Sequence, residues 1–478
     1  MTLPQNKTKI VCTIGPASES PEVMCRLMTA GMNIARLNFS HGNFDTHKQV
    51  IDNLRAASIR TGKRLAIMAD LSGPKMRIGK LDPEPVYLEP DDTFILTTDD
   101  ITGDRTRASV SFAGLPKAVK TGDTLYLNDG YIQLEVTHVR GNDVICTVKA
   151  GGELRSRKGL NLPGINLGIG AFTGRDRECL KFALENGVDA VSQSFVENAK
   201  DIHDVRKAAR DFGYQPFIIA KIERSNALVN IDEILEAADG IMIARGDLGV
   251  EVPIERIALV QKDLMRRANM MAKPVITATQ MLESMTTNKR PTRAEATDVS
   301  NAIIHGTDCV MLSGESAMGN YPVESVMMLA KIAAVVEPER LQIPAKEMFR
   351  AVDLTGKIKP EYLIAVGVEA SLEYATPATV FVPTRTGATA RSIGRFRLPV
   401  WIIAVSSQEA TCQNLQFSYG VFPVQEKDHP ENWKPYVKDW LQRHPMPGDI
   451  VVLTEGPSTK RPDSNHRMEI IDLRSSER

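Results

Sequence analysis

Eight short apolar runs, separated mostly by stretches with helical spacing, constrain this chain more than any other feature of its sequence. They cover residues 9–13, 33–38, 65–70, 190–194, 217–221, 241–244, 275–279 and 310–313. The runs at 217–221 and 241–244 have the length and β-branched bias of strands buried on both faces, as a parallel sheet covered by helices requires. Eight βα units predict an α/β fold of the closed (β/α)8 TIM-barrel type. An open doubly wound sheet shows the same alternation, so the polar residues help decide. Arg36, Asn38, Asp70, Lys221, Glu223, Asp247, Thr279, Ser313 and Glu315 all fall at or just past the carboxyl ends of the runs. Closure gathers those ends at one mouth, whereas an open sheet would spread them along an edge.

Two departures from this rhythm divide the chain. Between residues 74 and 167 the runs are short and alternating, at 86–88, 94–96, 124–127, 132–136 and 144–148, with turn signals at Asn128-Asp129-Gly130 and Arg140-Gly141-Asn142-Asp143. This reads as a small all-β, barrel-like domain inserted into a barrel loop, placed to act as a lid. It returns through a basic, Gly/Pro-marked hinge containing Arg155, Arg157, Lys158, Pro163 and Gly164. From residue 345 to 478 further apolar runs at 378–382, 400–405, 421–424 and 450–453 predict a separate open α/β domain. The barrel then comprises residues 1–73 and 168–344.

With 58 basic against 59 acidic residues, nothing in the totals advertises nucleic acid or an anionic membrane. No run approaches membrane-spanning length, and the first residues carry no apolar signal core. The six cysteines have no metal-ligand spacing and read as reduced packing residues of a cytoplasmic protein.

The chemistry concentrates between Ala220 and Glu251. Two buried runs there deliver Lys221-Ile222-Glu223 and Ala244-Arg245-Gly246-Asp247, with helical spacing between them. Mg2+ prefers oxygen and takes only one or two protein carboxylates, leaving its other positions to water and substrate. Glu223 and Asp247 suit that sparse set, and Lys221 beside them suits an anionic, phosphoryl-bearing substrate. Alternation places Arg36, Asn38 and Ser40 on one polar face, next to His41, where phosphate can be met. Farther along, residues 383–389 follow a buried strand and open a helix near Ala388. The hydroxyls and N–H groups around Thr384, Arg385, Thr386, Gly387 and Thr389 can cradle a phosphate there.

Seven stretches in order resemble the pyruvate kinase family in its bacterial form. They are TKIVCTIGPAS (8–18), ARLNFSHG (35–42), KIE (221–223), IARGDLG (243–249), ATQMLESM (278–285), PTRAE (291–295) and LSGES (312–316). The resemblance implies transfer of the phosphoryl group of phosphoenolpyruvate to ADP, giving pyruvate and ATP in the last step of glycolysis. It implies that Arg36 holds the substrate phosphate, Lys221 stabilises the phosphoryl group in flight, and Glu223 with Asp247 ligates Mg2+, or Mn2+ in its place. Gly246 and Asp247 would meet the substrate carboxylate through their backbone, and Thr279 would belong to the enolate-protonation side. Asn38, Ser40, His41, Arg77 and Lys158 correspond to nucleotide contacts. The family further implies a homotetramer and a sugar-phosphate effector at residues 384–389. The effector's identity stays open, because the final loop, residues 456–465, is poor in glycine.

Two other readings compete. A metal-dependent pyruvate or oxaloacetate lyase on a related barrel also needs a Glu/Asp metal pair, but no nucleotide lid. A catalytically dead metabolite sensor would not need Lys221, Glu223 and Asp247 intact. One position departs from many family members, which bind K+ through residues matching Asn38, Ser40, Asp70 and the carbonyl of Leu71. Lys75 stands where K+-requiring members carry a glutamate. A fixed ammonium there supplies the positive charge that a carboxylate would need an ion to provide, so K+ is expected not to be required.

Overall fold

A computed structural model describes residues 3–165, 167–340, 360–375, 377–428, 430, 432–457 and 465–474. All eight expected runs are strands: Lys9–Thr13, Met32–Asn38, Ala66–Leu71, Ala190–Gln193, Phe217–Ile222, Gly240–Ala244, Val275–Ala278 and Cys309–Leu312. They pair in parallel and close, the first against the eighth with Lys9 opposite Cys309. The reason is visible in the burial: seven of the eight strands are buried at every position, helices covering one face and the barrel interior filling the other. Side-chain caps start the returning helices. Asn43, Thr173, Asn198 and Thr292 each accept from the backbone of the first turn in reciprocal capping boxes. The helical stretch between the fifth and sixth strands is two helices, Ser225–Val229 and Ile231–Ala237. They break at Asn230, whose side chain donates to the carbonyl of Glu197.

The insertion leaves the third strand at Gly73-Pro74. Gly73 has φ +63°, and a Cβ there would meet the Phe195 ring at 2.9 Å, so the exit needs glycine. A six-stranded sheet follows, ordered Leu160–Asn161, Thr124–Leu127, Ile132–Arg140, Asp143–Ala150, Thr93–Thr97, Arg107–Ser109, around its own core of Phe94, Leu125, Leu134 and Val144. Both expected hairpin turns are present; Asn128, Asp129 and Gly130 are all left-handed, as a tight turn with the sheet's twist demands. The hinge differs from expectation in one respect, because Leu160–Asn161 pairs with Tyr126–Leu127 as a short strand.

The last domain is a five-stranded sheet, in which Val421–Gln425, Ile402–Ser406, Thr379–Pro383 and Ile450–Glu455 run parallel. A fifth strand, Arg467–Asp472, is antiparallel at the edge and mostly exposed, so no apolar run marks it in the sequence. This domain docks on the bottom of the barrel, opposite the mouth. Phe417 is fully buried within the barrel's interior cluster and stacks on Phe217 at 5.4 Å. Asp308 accepts from Arg397, from the Tyr419 N–H at 2.9 Å and from the Val275 N–H at 3.0 Å. Lys9 donates to the carbonyl of Val421 at 2.7 Å, its ammonium 5.3 Å from the Trp401 ring.

Burial lowers the Lys9 pKa to about 8 from 10.5. Below the lower value the folded state carries the full penalty of a buried charge. As the pH climbs from about 8 to 10.5 the folded state sheds that proton before the unfolded state does, so stability rises relative to a chain without the lysine. Denaturant unfolding across this window should show wild type gaining about 3 kcal/mol on Lys9→Met. A pH-independent difference between the two would show that the burial of Lys9 carries no such penalty.

Candidate active site

The carboxyl ends of the barrel strands converge as expected, and their contacts are specific. Asp70, at the end of the third strand, is 2% exposed and lies opposite Asn38 on one neighbour and Ser192 on the other in barrel register. Its Oδ2 accepts from Arg36 Nε at 3.0 Å and Nη2 at 2.5 Å, and lies 3.4 Å from Lys221 Nζ. Its Oδ1 accepts from the Ser192 hydroxyl at 2.5 Å. Arg36 also donates to Thr13 Oγ1 at 2.9 Å, tying in the first strand. Lys221 donates to Ser194 Oγ at 2.7 Å and pairs with Glu223 Oε1 at 2.9 Å. Five strands therefore meet at two cations and two carboxylates, all nearly buried.

Electrostatics follows from that burial. Desolvation works against the Asp70 carboxylate, but Lys221 and Arg36 outweigh it and hold its pKa below the usual carboxylate range. Desolvation also opposes the Lys221 ammonium, and Asp70 with Glu223 overcomes it, so this lysine stays charged. Glu223 goes the other way. Burial pushes its carboxyl up, Lys221 opposes, and the nearby Asp247 carboxylate adds to the push. Two carboxylates crowded in a dry site are what a divalent cation relieves. Among the described residues no group of three or more His, Cys, Asp or Glu is placed to hold a metal, so any ion here takes its remaining ligands from backbone, water or substrate.

Asp247 lies in the first turn of the short helix Arg245–Glu251. Arg245 is spent on structure, donating to the Thr279 carbonyl at 2.6 Å and pairing with Asp298 at 2.6 Å. Thr279 and Gln280 both take left-handed backbone angles, φ 65° and 52°, the kind of strain that collects at functional sites. That turn aims the Thr279 hydroxyl at the Gly246 N–H, 2.9 Å away. The backbone expected to meet a carboxylate is thus engaged with another expected site residue.

Ser40 and His41 are exposed just past the second strand, and Asn38 is half-buried. The Asn38 side chain accepts from the Ser40 N–H at 3.1 Å, and Ser40 Oγ lies 2.8 Å from Ser72 Oγ, beside Leu71. Arg77 and Lys158 sit together where the insertion joins the barrel: the Ile78 N–H donates to the Lys158 carbonyl at 3.0 Å and Arg77 to the Arg157 carbonyl at 2.8 Å. Among the described residues no hydrogen bond or ion pair ties that pair to the cluster at Asp70. Lys75 is exposed. In the last domain Gly387 donates to Thr384 Oγ1 at 3.0 Å and opens the helix Ala388–Gly394. A cavity of about 420 Å3 there is lined by Thr384, Arg385, Thr386, Thr389, Ser407 and Lys427. Most of the final loop, residues 458–464, lies outside the described residues.

The sequence reading missed Thr13, Ser192, Ser194 and the Phe195 N–H, which donates to Glu223 Oε2 at 2.8 Å. Ser192 and Ser194 alternate at the end of the fourth strand, the one signal that could have found them.

The match to known proteins decides between the competing readings. A family model described as pyruvate kinase, barrel domain, matches residues 5–326, and a second, pyruvate kinase, alpha/beta domain, matches residues 364–471. The chain belongs to the pyruvate kinase family. It is 50% identical to a pyruvate kinase of Thermococcus litoralis, over 88% of this chain and 89% of that one. Identity to a Bacillus licheniformis pyruvate kinase is 40%, over 94% and 78% respectively. A crystal structure of a pyruvate kinase from Cryptosporidium parvum superposes with a TM-score of 0.91 at 33% identity, covering 98% of this chain and 96% of that one. The protein is a phosphotransferase that makes pyruvate and ATP from phosphoenolpyruvate and ADP, and the lyase reading is not favoured. Among the described residues no helix is long and apolar enough to cross a membrane.

Proposed function

We propose that the transfer takes place at the Asp70 cluster, with Arg36 holding the phosphate of phosphoenolpyruvate and Lys221 following the phosphoryl group. The supporting observation is that both cations are anchored on one carboxylate oxygen, which fixes them side by side without neutralising either donor set. In the reaction the P–O bond to the enol breaks, its electron pair stays on the enolate oxygen, and a terminal ADP oxygen bonds phosphorus. The enolate then takes a proton at its methylene carbon, on the side of Thr279, giving pyruvate. A loose transition state asks mainly for position and positive charge, which Arg36 and Lys221 supply. Glu223 and Asp247 would hold Mg2+, or Mn2+, which when bound lends its charge to the developing enolate oxygen. Gly246 and Asp247 would seat the substrate carboxylate, and Asn38, Ser40, His41, Arg77 and Lys158 the nucleotide, under residues 74–167 as a lid between barrel segments 1–73 and 168–344. Lys221→Met should fold normally and lose more than tenfold, about 1.4 kcal/mol of barrier, in an assay of pyruvate released from phosphoenolpyruvate with and without ADP. Activity within tenfold of wild type would remove Lys221 from this role.

The same cluster bears on K+. Both Asp70 oxygens are already engaged by protein donors, and on this reading the fixed charge of Lys75 supplies what the ion would otherwise provide. We expect turnover in tetramethylammonium to match that in K+ at equal ionic strength and saturating Mg2+. A loss beyond about tenfold would show that Lys75 does not stand in for the ion. Lys75→Glu should create a K+ requirement.

Residues 384–389 are the proposed seat of a sugar-phosphate effector in a cytoplasmic homotetramer, the last domain, residues 345–478, being regulatory. The threonine hydroxyls, Arg385 and Lys427 around the cavity suit a phosphate. Titration with sugar mono- and bisphosphates should shift the substrate concentration at half-maximal rate, and Thr384→Ala should abolish the shift. No shift with any of them would reduce the segment to a helix cap.

A further inference from the structure

Directly after Glu223 stands Arg224, 2% exposed and buried among four elements rather than at the reacting end of the site. Its Nη2 donates to the carbonyls of Ile165 at 3.0 Å and Leu162 at 3.4 Å, on the segment by which the insertion returns to the barrel. Its Nε lies 3.2 Å from Glu197, just past the fourth strand, and its Nη1 3.4 Å from Glu251. Glu251 ends the helix Arg245–Glu251, which carries Gly246 and Asp247 in its first turn. The next residue repeats the pattern. Ser225 Oγ accepts from the Gly164 N–H at 3.2 Å and, like the Ser225 N–H, donates to Glu251 Oε2 at 3.1 Å. Arg224 and Ser225 thus grip both sides of the Pro163-Gly164 turn while holding the far end of the Asp247 helix.

We infer that Arg224 is a positioning residue that couples the seating of the inserted domain to the setting of Glu223 and Asp247. This rests on the reading of those two carboxylates as the metal pair. A guanidinium is a rigid planar fork, and here its Nη2 donates to two carbonyls while its charge pairs with two carboxylates. When the return segment moves away, the fork loses its carbonyls and is drawn toward Glu197 and Glu251. Both are attached to elements that bound the metal pair, so its geometry shifts with the lid. Coupling of this kind is reciprocal: an ion that sets the carboxylates must also hold the return segment down.

The test reads metal binding and backbone protection, neither of which requires turnover. Mn2+ binding to the full chain is followed by electron paramagnetic resonance, and amide exchange over residues 160–165 is measured with and without Mn2+, in wild type, Glu223→Gln, Arg224→Met and Ser225→Ala. In wild type Mn2+ should slow exchange across the return segment. Arg224→Met should bind Mn2+ about tenfold more weakly and lose that protection, while Ser225→Ala, which removes the hydroxyl's bonds to Gly164 and Glu251 but leaves Arg224 in place, should show a smaller loss of both. If Arg224→Met does not fold, Ser225→Ala alone decides: unchanged affinity and protection there overturn the inference. Normal Mn2+ binding in Glu223→Gln overturns the metal reading itself. Weak binding in Glu223→Gln together with wild-type binding and protection in Arg224→Met keeps the metal pair and overturns the coupling.

Discussion

One buried carboxylate holds the mouth of this barrel together. Asp70 takes Arg36 from the second strand and Lys221 from the fifth on a single oxygen, and Ser192 from the fourth on the other. Two unit charges sharing an oxygen sit within about 6 Å of each other, and at an effective dielectric near 20 they repel by about 3 kcal/mol. The shared anion offsets that repulsion and fixes the spacing, so positive charge is concentrated before any phosphate arrives. Preorganisation of this kind costs no rearrangement at the moment of transfer.

Much of this was legible because barrel strands announce themselves. A strand buried on both faces is a short apolar run, and its first polar residues must lie at an end, so Arg36, Asp70, Lys221, Glu223 and Asp247 stood out by position alone. The partners that orient them did not. Ser192 and Ser194 are small and neutral, Thr13 closes an apolar run, and the Phe195 amide has no side-chain signature at all. Arg224 carries no signal of its own in the sequence, because only the return of a segment some sixty residues earlier buries it. The edge strand Arg467–Asp472 escaped for a related reason: its pairing is backbone chemistry, and four of its six side chains face solvent.

The two ends of the barrel are held by different physics. At the bottom, Phe417 fills the interior from below and the Asp308–Arg397 pair is closed off by Tyr419, Val275 and Gly306. Both Asp308 oxygens and both terminal nitrogens of Arg397 are engaged, only its Nε lacking a partner, and a buried network held this way makes a firm joint. At the mouth the insertion is held mainly through backbone groups of a short return segment, which have a hydrogen-bonding alternative in water. The firm joint places the last domain against the strands whose other ends gather Arg36, Asp70 and Lys221, while the inserted domain is tied down by fewer and weaker contacts.

Charge at the mouth does not balance. Asp70, Glu223 and Asp247 stand against Arg36 and Lys221, since Arg245 is committed to Asp298. With every group ionised the cluster carries one excess negative charge; burial, with the Asp247 carboxylate adding to it against Lys221, drives the Glu223 carboxyl up. An anionic substrate approaching three carboxylates and two cations meets net repulsion. On the reading that Glu223 and Asp247 are the metal pair, a divalent cation held by them would turn that sum to one excess positive charge. The sequence places those two carboxylates 24 positions apart, at the ends of adjacent strands, so the reversal would happen within reach of the oxygen that Arg36 and Lys221 already share.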